Sequence, residues 1–250
     1  MATAQDLINY CETLLQQTSA MFLAGLPSGG GENDEYTIPS NTQLLLWANE
    51  GQNRLAKLCL PIADTATATP AAAGASVLAP FTQIVSASER TLVTPTSVSI
   101  GTRTLQMANQ GFIGNARFYP ATPAGEPAAW ASTNNAVTLS TYQSLPECTV
   151  YGYFLPKPLS NPVQDIDPFI DDFAQRTIAH YMAWMVAQKN VDNTVLAERI
   201  VPLGNEWVGG VREIYARLIQ NDTTLEGFFP PESVNSMPGP QIVKQIVPRS

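Results

Sequence analysis

Residues 167–189, DPFIDDFAQRTIAHYMAWMVAQK, together with the acid just before them, carry the chain's densest set of reactive side chains. Asp165, Asp167, Asp171 and Asp172 crowd the start, and the only histidine, His180, lies in the middle. Clustered carboxylates suggest a hard-cation site, and a histidine suggests a general base. A helix start explains the acids more simply. Asp167 is placed to cap it, and Pro168 already has the φ of a first helical residue. Asp171 and Asp172 then lie near the positive end of the helix dipole. A Ser-His-Asp machine would depend wholly on His180, which sits beside the apolar stripe and next to Tyr181. We read it as satisfied in packing or at an interface.

Other chemistry finds little footing. The sequence has no GxSxG, HExxH, Walker A or GxGxxG pattern. The glycines at 29–31 are not followed by a lysine and lie in an acidic loop, which argues against a phosphate cradle. Cys11, Cys59 and Cys148 are far apart, with no CxxC pair, and read as buried, reduced thiols. No catalytic residue, metal or cofactor is expected, and no enzymatic activity.

The elements that must hold these residues change period along the chain. The segment TAQDLINYCETLLQQTSAMFLAGLP repeats apolar side chains at helical spacing, with Thr3 as cap and Asp6 in the first turn. Gly25 and Pro27 end that helix, and the acidic loop SGGGENDEYTIP follows. Ser40 to Gln43 fits a capping box, and Leu44, Trp47, Ala48, Gly51, Leu55 and Leu58 continue a second helix up to Pro61. Residues 62–80 are rich in small side chains and proline and read as a linker or loop. From Phe81 to Leu155 the pattern turns to short β-branched or aromatic runs: FTQIVSA, RTLVTPTSVSI, RTLQMA, GFIGNARFYP, NAVTLST and CTVYGYFL. Two longer helices follow. The second carries Leu196, Ile200, Leu203, Trp207, Val211, Ile214 and Leu218 on one stripe, and Pro202 inside it predicts a kink or break.

The fold expected is α+β: a four-helix bundle of two N-terminal and two C-terminal helices, with an inserted antiparallel β-sandwich or small barrel and an extended C-terminal arm. The bundle takes residues 1–61 and 166–220, the linker 62–80, the β-rich insertion 81–158 and the arm 221–250. The arm's runs FFPP and IVKQIV are adhesive, which suits docking on another subunit.

Composition points the same way. Only 14% of residues are charged, so much of the surface is neutral and suited to being covered by partners. The 13 basic residues are scattered against 21 acidic ones, which argues against tight nucleic-acid binding. The first residues lack a basic region followed by an apolar run, so no secretory signal is expected. No apolar run is long enough for a membrane span.

Three stretches resemble the head-to-tail adaptor proteins of tailed bacteriophages. LLLWANEGQNRLAKL resembles the family's second helix through an aromatic-x-Asn-Glu-x-Gln pattern, here Trp47, Asn49, Glu50 and Gln52. YGYFLPKP, Tyr151 to Pro158, resembles the proline-ended strand leading out of the insertion. DPFIDDFAQRTIAHYMAWM with LAERIVPLGNEWVGGVREIYARL resembles the closing helical hairpin. Pro202 and the Gly209–Gly210 pair depart from the continuous helix such a hairpin would have, and the tail is longer than a minimal member needs.

The resemblance implies a virion protein, a homo-oligomeric ring of about twelve copies closed by heterologous contacts. It would sit between portal and tail or nozzle protein, with DNA passing through without specific binding. Contacts with neighbours or portal are expected at Phe228, Phe229, Ile242, Val243, Ile246 and Val247, and lumen acids at Glu32, Asp34 and Glu35. The alternative is a β-rich binding module of a phage tail or receptor-binding component, its ligand held by Phe112, Phe118, Tyr119, Trp130 and Tyr142.

Overall fold

A computed structural model describes residues 2–23, 39–71, 77–113, 115, 117–140, 142–143, 147–190 and 193–221. The chain divides into a helical unit, residues 1–60 and 159–250, and a β-rich unit, Pro61–Pro158.

The helical unit contains α1 (Ala4–Leu23), α2 (Asn41–Leu58), α3 (Asp172–Lys189) and α4 (Thr194–Asn221). Each start has an identifiable source of hydrogen bonds for its otherwise orphaned N–H groups. At α1, the Thr3 N–H and hydroxyl both donate to Asp6 Oδ2, at 2.7 and 3.0 Å. These bonds hold the Asp6 carboxyl below its usual range. The Ala4 and Gln5 N–H groups donate to the carbonyls of Gln164 and Pro162, at 2.9 and 2.8 Å. The segment returning from the β-rich unit therefore caps the first helix. At α2, Ser40 Oγ accepts from the Gln43 N–H at 3.4 Å, the forward half of the expected box.

At α3 the expected start is corrected. Asp171, not Asp167, is the cap, with Oδ1 accepting from the Ala174 N–H at 2.7 Å. Asp167 and Pro168 belong to the preceding turn, where Asp167 Oδ1 accepts from the Phe169 N–H at 3.2 Å. Both aspartates have the right chemistry, and Ile170, which lies between them, is buried ahead of the helix.

The four-helix bundle is also corrected. The four helices are not arranged as two N-terminal and two C-terminal helices around a shared axis. Instead α3 packs against α1, α2 and α4, which touch one another only sparsely. Ile178, Ala179, Tyr181, Met182, Ala183, Val186 and Ala187 have no exposed surface, and they spread around much of α3's circumference. The alanines keep α3 thin, so three helices can approach it. Two glycines on its neighbours complete the fit. A Cβ on Gly51 of α2 would lie 3.0 Å from Tyr181 Cδ1, and one on Gly210 of α4 would lie 2.5 Å from Thr177 Oγ1.

Helix α4 runs through Pro202 as one element, so the expected break does not occur. Pro202 is on the exposed side, where water can satisfy the Glu198 carbonyl that a proline leaves without an N–H partner.

Among the described residues the β-rich unit has two four-stranded sheets. One orders β1 (Ile62–Ala68), β8 (Cys148–Leu155), β3 (Thr91–Ile100) and β4 (Arg103–Thr104), all antiparallel. The other orders β2 (Val77–Pro80), β7 (Ala136–Leu139), β6 (Ala129–Thr133) and β5 (Gln106–Met107). Its β5–β6 pair is parallel, so the insertion is mixed rather than antiparallel. Both sheets contribute to one core around Trp130, Phe154, Val150, Leu139 and Val98.

Residues 62–80 are not simply a linker, since they supply β1 and β2. Small side chains suffice in β1 because only one face is buried: Ile62 and Ala66 point inward, while Ala63, Thr65 and Thr67 are exposed. Conversely, FTQIVSA forms one 3-10 turn and an isolated bridge, and residues 111–113 and 117–118 form turns. Pro95 is tolerated inside β3 because the ladder shifts register on either side of it, between Leu92 and Thr94 and between Pro95 and Ser97. Opposite these bulges lies Gly152, where a Cβ would meet the Thr94 carbonyl oxygen at 2.3 Å.

Candidate functional site

The α2 sequence WANEGQ builds the most elaborate side-chain arrangement of the helical unit. Trp47 is buried in the core. Asn49 Nδ2 donates to the Leu159 carbonyl at 2.8 Å, and the Leu159 N–H donates back to Asn49 Oδ1 at 2.7 Å. The amide side chain thus pairs with a peptide as another strand would. Gln52, itself buried, donates from Nε2 to the same Asn49 Oδ1 at 2.9 Å and fixes the orientation of the Asn49 amide. An aspartate at 49 would lack the donor that Leu159 requires.

The next residues of the motif face α3. Lacking a side chain, Gly51 leaves room for the Tyr181 ring, whose Cδ1 would lie 3.0 Å from a Cβ there. Glu50 and Arg54 form an exposed 2.7 Å ion pair, and the Arg54 guanidinium carbon lies 5.3 Å from the Tyr181 ring centroid. Burial raises the Tyr181 phenol above its usual range, the neighbouring Glu50 carboxylate adds to the rise, and Arg54 opposes it. Tyr181 also meets Trp207 of α4 at 5.0 Å and Trp184 at 5.9 Å between centroids. A neutral phenol among aromatic rings is a packing element. The arrangement fixes α2, the Leu159 backbone, α3 and α4 to one another.

His180 is held differently. Its Nδ1 donates to the Arg176 carbonyl at 2.9 Å, and its ring stands edge-on to Tyr10 of α1, 6.3 Å between centroids. Burial lowers its pKa, while the Arg176 carbonyl and the Glu206 carboxylate partly offset that. With Nδ1 engaged, Nε2 carries the lone pair. A cleft of about 190 Å³ opens one turn earlier, lined by Asp6, Tyr10, Asp172 and Arg176 among others.

The acidic cluster is dispersed among local tasks. Asp171 caps α3, Asp172 sits in its first turn, Asp167 turns the chain, and Asp165 pairs with Thr3 through the backbone alone. Among the described residues no group of three or more His, Cys, Asp or Glu could hold a metal ion. Burial pushes the Cys11 and Cys59 thiols up to about 12 and that of Cys148 to about 11, so all three are protonated at neutral pH. Among the described residues no helix is long and apolar enough to cross a membrane.

Of the aromatic residues considered for a ligand site in the β-rich unit, Trp130 and Tyr142 are buried in its core. Phe112 and Phe118 are exposed, their ring centroids 4.9 Å apart. The expected contact residues Phe228, Phe229, Ile242, Val243, Ile246 and Val247 lie outside the described residues, as do Glu32, Asp34 and Glu35. The Asn49–Leu159 pairing was not anticipated. The only signal for it was two amide side chains, Asn49 and Gln52, on the inner half of an otherwise apolar helix face. The chain matches no protein-family model, and no curated protein matches it.

Proposed function

We propose that this chain is a structural adaptor whose copies close into a ring between the portal and the tail of a bacteriophage, with DNA passing through. The observation that carries the reading is the pairing of Asn49 with Leu159. The helix motif that resembles the adaptor family thereby grips the residue directly after the Tyr151–Pro158 segment. Through Gly51 the same motif seats Tyr181, which belongs to the third resembling stretch. Within the helical unit, residues 110 apart in the sequence are thus held together.

Rigidity suits such a role, because identical subunits close into a ring only when each contact repeats the same rotation. The low charge content favours surfaces that partners cover. The net charge of −8, with basic residues scattered, favours passage of DNA without gripping it. The proposal gives the residues after Asn221 to neighbours and portal, and Glu32, Asp34 and Glu35 to the lumen wall. It gives the chain no catalytic role. The alternative β-rich ligand-binding module draws less support, since Trp130 and Tyr142 are occupied in the core.

Native mass spectrometry and negative-stain imaging of the full chain, alone and mixed with the portal of the same virion, test the proposal. Rings of about twelve copies, free or portal-dependent, are the predicted result. A chain that stays monomeric in both conditions overturns it.

A further inference from the structure

We draw no further inference here: the strongest candidate, the exposed Phe112–Phe118 ring pair in the loop after β5 of the β-rich unit, carries nothing because nothing in the structure shows what covers it.

Discussion

The two units achieve close packing by different means. In the helical unit the tight contacts are made by side chains: small residues on α3 receive its neighbours, and the atom nearest a Cβ on Gly210 would be the Thr177 hydroxyl. In the β-rich unit the tightest approach is to backbone, where Gly152 lies under the Thr94 carbonyl between two bulges. Side chains can turn to other rotamers, whereas a hydrogen-bonded strand cannot shift without disturbing its ladder. The helical unit is therefore expected to absorb substitutions at its contacts, and the β-rich unit to resist them.

The sharpest way to break this comparison is Gly152→Ala. A methyl group there meets the Thr94 oxygen at 2.3 Å and Pro95 Cα at 3.0 Å. The loss is expected to be about 3 kcal/mol or more, at the upper end for overpacking. Hydrogen exchange should show β3 and β8 losing protection first. Near-neutral stability of this variant would remove the basis of the contrast.

Asp64→Ala tests the same unit through charge. Arg90 is almost fully buried and donates from Nη1 to Asp64 Oδ2 at 3.0 Å. Removing the carboxylate takes this charged partner from the guanidinium, at an expected cost of about 2–3 kcal/mol in urea unfolding. Burial alone would push the Asp64 carboxyl up, but the Thr65 N–H, the Ser86 hydroxyl and Arg90 together bring it below 3.8. Because the folded pKa is depressed, the stabilisation is present above about pH 4 and is lost as pH falls through the folded value. Acid titration of exchange protection in β1 should follow that course and flatten in the variant.

In the helical unit, Asn49→Ala removes three hydrogen bonds at a partly buried site. A loss of about 2 kcal/mol is expected, roughly that of leaving the Leu159 peptide groups unpaired. Asn49→Asp should be no better, because it restores an acceptor and not the donor. This pin binds a side chain to backbone, so it is where the helical unit should behave most like its counterpart.

Gly210→Ala should be far milder than Gly152→Ala, despite a nominal 2.5 Å contact with Thr177 Oγ1. The clash costs stability, while replacing a helix-interior glycine returns about 1 kcal/mol. Adding Thr177→Ala should relieve the clash and raise the melting temperature above that of the single variant. If the double variant is no better, the obstruction is not the hydroxyl.

The smallest effect expected is that of His180. Its folded pKa lies below 6.5, so the unfolded chain takes up a proton first, and stability declines as pH falls from about 6.5 through the folded value. His180→Gln should flatten stability between pH 7 and 5. Loosening of α1 against α3 should therefore begin at a higher pH than the loss of the Asp64 interaction. An unchanged pH profile in the variant would remove His180 from this account.

Local features were readable from the residues alone. The Ser40 cap, the end of the second helix ahead of Pro61, and the buried cysteines depend on neighbours a few positions away. The resemblance singled out Asn49 and Gln52 but not the bonds they form. The start of α3 is ambiguous in the residues because Asp167–Pro168 and Asp171 offer the same capping chemistry, and the bond from the Ala174 N–H to Asp171 identifies the cap. β1 was missed because Ala and Thr look like linker until β8 provides a partner and the opposite sheet a core.

What the sequence by itself determined is the set of elements with local causes: the apolar stripes of the helices and the Ser40 cap. Tertiary structure alone decided that α3 is central, that β5 runs parallel to β6, and that Asn49 holds the Leu159 backbone. Periodicity specifies which face of an element is apolar, because that depends on the turn of one chain. It does not specify which other face will cover it, because that choice rests on shape and on hydrogen bonds between residues distant in the sequence.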